Sequence, residues 1–203
     1  MRVWKNEVDL TKIGDDGVDH NKLRFYRTLK GSFTIEPYIQ LVTNRNQRVR
    51  LTRLRTSAHS LRVEQGRYTV PITPLRDRVC VYCRDDITGQ QYLDDEQHLL
   101  SSCTTFLLKR NCLFGKIASI DKSFLLLNAQ QKMAKMLCPK NVKIAKLVNK
   151  FISIIIKARN RIDRGEEIDQ GLFTDCNLND SAISEINGEV REGGNLFPGT
   201  HFN

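Results

Sequence analysis

Four residues near the middle of the chain have the types and spacing that hold a metal ion: Cys80-x2-Cys83-x14-His98-x4-Cys103. Thiolate and imidazole are the ligands Zn2+ takes in tetrahedral sites. Two cysteines separated by two residues clamp one side of an ion from a single tight turn. A His and a Cys five positions apart, on one turn of helix or at its fraying end, close the other side. Four protein ligands leave no open position, so zinc held here would be structural and would contribute folding energy to a segment with almost no core of its own. Three thiolates leave one net negative charge on the complex, which Arg78, Arg84 and Arg110 lie close enough in sequence to offset. The plainer alternative is a pair of incidental cysteines beside a half-buried histidine. A redox role for the Cys80–Cys83 pair lacks the strand-to-helix context such motifs need. Cys112, Cys138 and Cys176 stand outside the pattern.

Next to this set, Tyr92-Leu93-Asp94-Asp95 has the form of a Tyr-x-Asp-Asp box, in which paired aspartates hold catalytic Mg2+. The residues that follow, Glu96-Gln97-His98, do not make an apolar strand, and no strand bearing a third carboxylate precedes the box. A helix N-terminus, where carboxylates interact favourably with the helix dipole, is the better expectation for Asp94, Asp95 and Glu96.

A third group is basic. Seven arginines (Arg45, Arg48, Arg50, Arg53, Arg55, Arg62 and Arg67) fall between positions 45 and 67 against one acid, Glu64. The guanidinium fork binds two phosphate oxygens at once, so this run is a candidate nucleic-acid-binding surface for either RNA or DNA. Phosphate contacts give affinity without reading sequence. The competing reading is a solvated helix face with some pairing to acids elsewhere. Tyr68 and Tyr82 could stack on bases, though buried tyrosines are the commoner case.

These groups need elements to position them. Leu51, Leu54, Ala58 and Leu61 recur at three- and four-residue steps, which predicts a helix over residues 46–65 ending at Gly66, with Arg48, Arg55 and Arg62 in one stripe. Short helices are expected before Gly31 and over residues 36–42. Pro71 and Pro74 mark an extended connection into the cysteines. Residues 79–82 and 91–93 are expected to pair as a small hairpin across residues 85–89, with a short helix from about Glu96. Three more helices are expected over residues 104–118, 123–137 and 142–162. In the last, Val142, Ala145, Val148, Ile152 and Ile155 keep helical spacing, with lysines at 143, 146, 150 and 157 around them. The fold class expected is mainly α with a small zinc-stabilised β-hairpin (α+β). It divides into a leading segment (1–20), a helical segment with the basic helix (21–76), a zinc knuckle (77–106), a helical bundle (107–162) and an acidic, disordered tail (163–203). No internal repeat is present.

The net charge is +9, but residues from Asp163 onward carry nine acids and two arginines, a net of −7, leaving +16 for residues 1–162. A basic body attracts a polyanion, and an acidic tail could compete for the same surface. Plain solubility charge is the bland alternative. Six cysteines in 203 residues are too few and too unevenly spaced for a disulfide scaffold. The charged opening Met-Arg-Val-Trp-Lys-Asn-Glu is no signal peptide, and the longest apolar runs, residues 124–127 and 151–156, fall far short of a membrane span. These features predict a soluble intracellular protein, nuclear or cytoplasmic, with reduced thiols and no membrane partner.

The run of residues 51–68, followed by Arg78-Val-Cys-Val-Tyr-Cys83 and Asp94-Asp-Glu-Gln-His-Leu-Leu-Ser-Ser-Cys103, resembles the zinc-binding region downstream of the polymerase in non-long-terminal-repeat retrotransposon reverse transcriptases. Lys22-Leu-Arg-Phe-Tyr26, Phe33, Glu36-Pro-Tyr38 and the apolar helices after Cys103 fit the same region, so the resemblance spans roughly residues 20–160. It implies a fragment or remnant of such an element, in a region thought to help hold template RNA or target DNA. Cys80, Cys83, His98 and Cys103 carry over as zinc ligands, and His59 matches a family histidine in the basic helix. No polymerase palm or endonuclease motif accompanies them, and the acidic tail matches nothing in the family.

Three readings follow. The first is a zinc-stabilised nucleic-acid-binding module without catalysis of its own. The second is a metal-dependent nuclease or polymerase remnant using Asp94, Asp95, Glu96 and His98. The third is a protein–protein adaptor in which the helices after Cys103 bury a partner.

Overall fold

A computed structural model describes residues 21–30, 34–83 and 89–167. The leading segment, Arg84 and most of the acidic tail, with Cys176, lie outside the described residues.

The described chain is mainly helical. Its α-helices are α1 (Arg24–Leu29), α2 (Pro37–Leu41), α3 (Arg45–Arg55), α4 (Arg62–Gln65), α5 (Leu107–Ile120), α6 (Ala129–Leu137) and α7 (Val142–Asp163). Short 3-10 turns occur at Leu75–Asp77, Thr104–Phe106 and Lys122–Leu126, and a π turn at His98–Ser102. No helix among the described residues is long and apolar enough to cross a membrane.

The longest element, α7, is the spine. Its N-cap Asn141 accepts from the amides of Lys143 and Ile144, which satisfies two of the donors a helix start leaves unpaired. Ile144, Ala145, Val148, Phe151, Ile152, Ile155 and Ala158 are buried along one face, as the periodicity predicts, whereas Val142 is exposed. This face packs against α2, α3, α5 and α6. One buried cluster runs from Phe25 to Ala158 and includes Cys80, Cys83 and Cys103.

Two expected helices are broken, each for a local reason. The one over residues 46–65 ends at Arg55, because Ser57 takes a φ of 52° and donates its hydroxyl to buried Glu96 Oε1 at 2.5 Å. Ala58 is exposed, the chain restarts only at Arg62, and the stripe of Arg48, Arg55 and Arg62 is divided between two helices. Gly66 closes α4 in a right-handed conformation. What its position requires is space, since a Cβ there would lie 2.5 Å from Arg78 Nε. The helix over residues 123–137 is interrupted by a capping box: Asn128 and Gln131 exchange side-chain-to-backbone hydrogen bonds, so α6 starts afresh at Ala129.

The expected β-hairpin is a further correction. There is no strand among the described residues, only a single antiparallel bridge between Val79 and Leu93. Cys80 N donates to Tyr92 O (2.8 Å) and Asp94 N to Arg78 O (3.0 Å). Beyond Cys80 the chain turns to bring Cys83 back beside it, which removes the residues a longer ladder would need.

Candidate metal centre

The bridge and the π turn bring the four expected ligands together. The ligand atoms of Cys80, Cys83, His98 and Cys103 all lie within 4.8 Å of one another, and all four residues are buried. Cys80 is held by its backbone bond to Tyr92 on the strand-like side. His98 and Cys103 flank the π turn, in which Cys103 N donates to His98 O at 2.8 Å. That i→i+5 closure widens the helix by one residue, so positions five apart face the same point. Asp95 starts the turn by accepting from His98 N at 2.7 Å.

His98 presents Nε2 to the sulfurs, 3.0 Å from Cys83 Sγ, while Nδ1 lies 3.2 Å from Ser102 Oγ. The Tyr92 ring stacks on the imidazole, with centroids 5.5 Å apart and planes inclined by 11°. A ligating histidine fixed through its second nitrogen has its ring orientation and tautomer set in advance. Tyr92 and Ser102 had no signal in the sequence beyond proximity.

The thiols are electrostatically unequal. A hydrogen bond from Cys103 pulls the Cys80 thiol down to about 4, against burial, with help from His98. Cys103 is pushed up by its bond to Cys80 and by burial, and Cys83 by burial and the neighbouring Cys80 charge. A bound cation would favour the thiolate form of all three sulfurs.

Of the arginines expected to offset the thiolates, Arg110 is in place: it is buried and donates to Cys103 O at 2.8 Å. Burial lowers its pKa, and Cys103 and Cys83 oppose that shift. Arg78 instead sends its guanidinium to Val63 O and Thr73 O. A second buried arginine near the cluster, Arg159 on α7, has its charge matched by Asp94. Burial lowers its pKa, but hydrogen bonding and charge from Asp94, with smaller contributions from Tyr82 and Cys80, leave it raised. Cys112 is not among the four. It is disulfide-bonded, which corrects the expectation of reduced thiols, while Cys80, Cys83, Cys103 and Cys138 are free.

No family model, curated protein or solved structure matches this chain.

The acidic trio beside the cluster has partners within the protein. Asp94 is fully buried and pairs with Arg159, and its Oδ2 also accepts from Arg62 N at 2.9 Å. Glu96 receives Ser57, His59 (2.9 Å) and Arg24 (3.3 Å). His59 lies in the loop after α3 rather than in the basic helix, with Nδ1 accepting from Leu61 N. The Tyr-x-Asp-Asp pattern is built into the packing of α4, α7 and the π turn.

The seven arginines divide by environment. Arg45 and Arg53 are exposed. Arg48 folds back on the carbonyls of Val42 (2.9 Å) and Thr43 (2.8 Å). Arg50 is half-buried and donates to Ser153 Oγ. Arg62 is half-buried, and Arg67 pairs with Glu64 at 2.9 Å. Arg55 corrects the expectation of a phosphate contact: it is 1% exposed, bonded to Leu137 O and Glu36, with its guanidinium 4.7 Å from the Tyr38 ring centroid. Its interior position follows from the same face that buries Leu51 and Leu54.

Proposed function

We propose that the chain is a zinc-stabilised nucleic-acid-binding module without catalysis of its own. The observation that carries the reading is the closed set of Cys80, Cys83, His98 and Cys103, four buried soft ligands converging within 4.8 Å. Three sulfurs and one imidazole suit Zn2+ in a structural role, because no coordination position remains for water or substrate. Zinc would fasten the turn at Cys80 to the π turn and so orient the loop leading from α3. The exposed Arg45 and Arg53 then supply phosphate contacts on a body that carries most of the positive charge. The resemblance of residues 51–103 to the zinc-binding region of retrotransposon reverse transcriptases points the same way, toward RNA or DNA as partner.

The nuclease reading asks Asp94, Asp95 and Glu96 to hold a catalytic cation, and each of these carboxylates is engaged by a protein donor. The adaptor reading rested on an apolar face of α7 open to a partner, and that face lies in the core.

The test is binding of the purified chain to short RNA and DNA duplexes, with Arg45→Glu/Arg53→Glu alongside. The reading predicts salt-dependent binding weakened in the variant. Absence of binding to both would dismiss it, and equal affinity of the variant would remove Arg45 and Arg53 from the contact.

A further inference from the structure

Opposite its buried face, α7 carries a row of single-signed charge. Lys143, Lys146 and Lys157 are exposed and Lys150 is half-buried. At 3.6 residues per turn the four fall within about 60° of arc, and they extend over about 21 Å of helix. Asp163 is the first acid in the helix. A solvated helix ordinarily interleaves both signs.

This row does not stand alone, because α3 packs beside it. Arg50 reaches across and donates to Ser153 Oγ at 2.8 Å. Ser153 precedes Lys157 by one turn, so hydroxyl and ammonium lie on the same side of α7. Arg50 Nε is buried with no hydrogen-bond partner. Burial lowers the pKa of Lys157, and the nearby charge of Arg50 lowers it further.

Acids are used differently elsewhere. Glu36 serves Lys30 and Arg55, Glu64 serves Arg24 and Arg67, and Asp94 serves Arg159. Among the described residues no carboxylate pairs with Arg50, Lys146 or Lys157 within ion-pair distance. Two cations and a hydroxyl are thus held together with no carboxylate partner among the described residues, an arrangement that an anion with several acceptor oxygens would satisfy.

We propose that Arg50, Ser153 and Lys157 seat a backbone phosphate, and that the α7 lysine row carries the nucleic acid on from there. This extension rests on the nucleic-acid reading above and moves much of the contact from the arginine helix to α7. A length of about 21 Å matches about six steps of a duplex strand at 3.4 Å per phosphate. An anionic membrane is the poorer match, because the apolar face of α7 is buried and leaves nothing to insert.

The experiment measures affinity for a short DNA duplex and its RNA counterpart between about 50 and about 200 mM salt. Wild type, Lys146→Gln/Lys157→Gln and Arg45→Glu/Arg53→Glu are compared, and thermal melts show that each is folded. The lysine variant should lose about tenfold in affinity, and its slope of log K against log salt should fall by about two. If wild type binds, the arginine variant weakens and the lysine variant does not, the α7 seat is wrong while the nucleic-acid reading stands. If wild type binds neither duplex, that reading falls and this extension with it. Loss of binding to phosphatidylserine vesicles in the lysine variant, with duplex binding intact, would also overturn the proposal.

Discussion

Asp94 and Arg159 meet in a two-pronged buried ion pair, with guanidinium nitrogens 2.8 and 2.5 Å from the two carboxylate oxygens. The pair joins the residue just after the Val79–Leu93 bridge to the last turns of α7, 65 positions away. Arg159 also lies over the Tyr82 ring, 4.2 Å from its centroid, and Tyr82 donates to Asp163 Oδ1 at 2.5 Å. The loop between Cys80 and Cys83, the first two candidate metal ligands, is therefore fastened to the end of α7 at two points.

Asp94→Asn should cost about 3–5 kcal/mol in chemical denaturation, because it leaves the Arg159 charge buried without its counter-charge. Replacing both partners, Asp94→Leu with Arg159→Met, should recover a large part of that loss. A single variant as stable as wild type would show that the pair is not what holds α7 to the segment around the Val79–Leu93 bridge.

Acid should undo the Glu96 hub. Burial alone would raise the Glu96 carboxyl, but His59, Arg24 and Ser57 outweigh it and hold the pKa below its ordinary value. A depressed carboxyl contributes stability above its unfolded pKa of about 4.3, and that contribution is lost as pH falls through the folded pKa. Asp95, pushed up chiefly by burial, works the other way, so the difference between wild type and Glu96→Gln is the quantity to follow. Denaturation midpoints should differ at neutral pH and converge below about pH 4. A difference independent of pH would contradict the assignment.

The arginines should separate by role. Arg55→Gln should lower stability by about 3 kcal/mol through loss of its buried bonds to Glu36 and Leu137. Arg45→Glu/Arg53→Glu should leave the melting temperature nearly unchanged and weaken duplex binding. Equal behaviour of the two variants in both assays would remove the distinction between interior and surface arginines.

Ser102→Ala should weaken zinc about 10- to 100-fold in chelator competition, since His98 Nδ1 loses the hydroxyl that orients its ring. Cys112→Ser should leave zinc affinity unchanged, because that residue is not part of the cluster. The reverse pattern would place the wrong cysteine in the site.

Much of this was legible in the chain. The four-ligand spacing is local chemistry, and α7 declares itself through a long, uninterrupted apolar period. What was not legible depends on partners far away in sequence. The break after Arg55 is set by Glu96, 39 positions beyond Ser57. The interior fate of Arg55 is set by Leu137, 82 positions on. The π turn follows from the need of His98 and Cys103 to face one point, which helical periodicity alone does not contain. The expected hairpin does not extend past the Val79–Leu93 bridge, because the residues after Cys80 turn to bring both thiols together.

The proposed function rests on a structural zinc held by Cys80, Cys83, His98 and Cys103. The most direct measurement is the metal content of the purified chain, with Cys83→Ser prepared in parallel. About one zinc per wild-type chain is expected, with a large loss in the variant together with loss of cooperative folding. A wild-type chain that folds without zinc, or a variant that keeps it in full, would contradict the account.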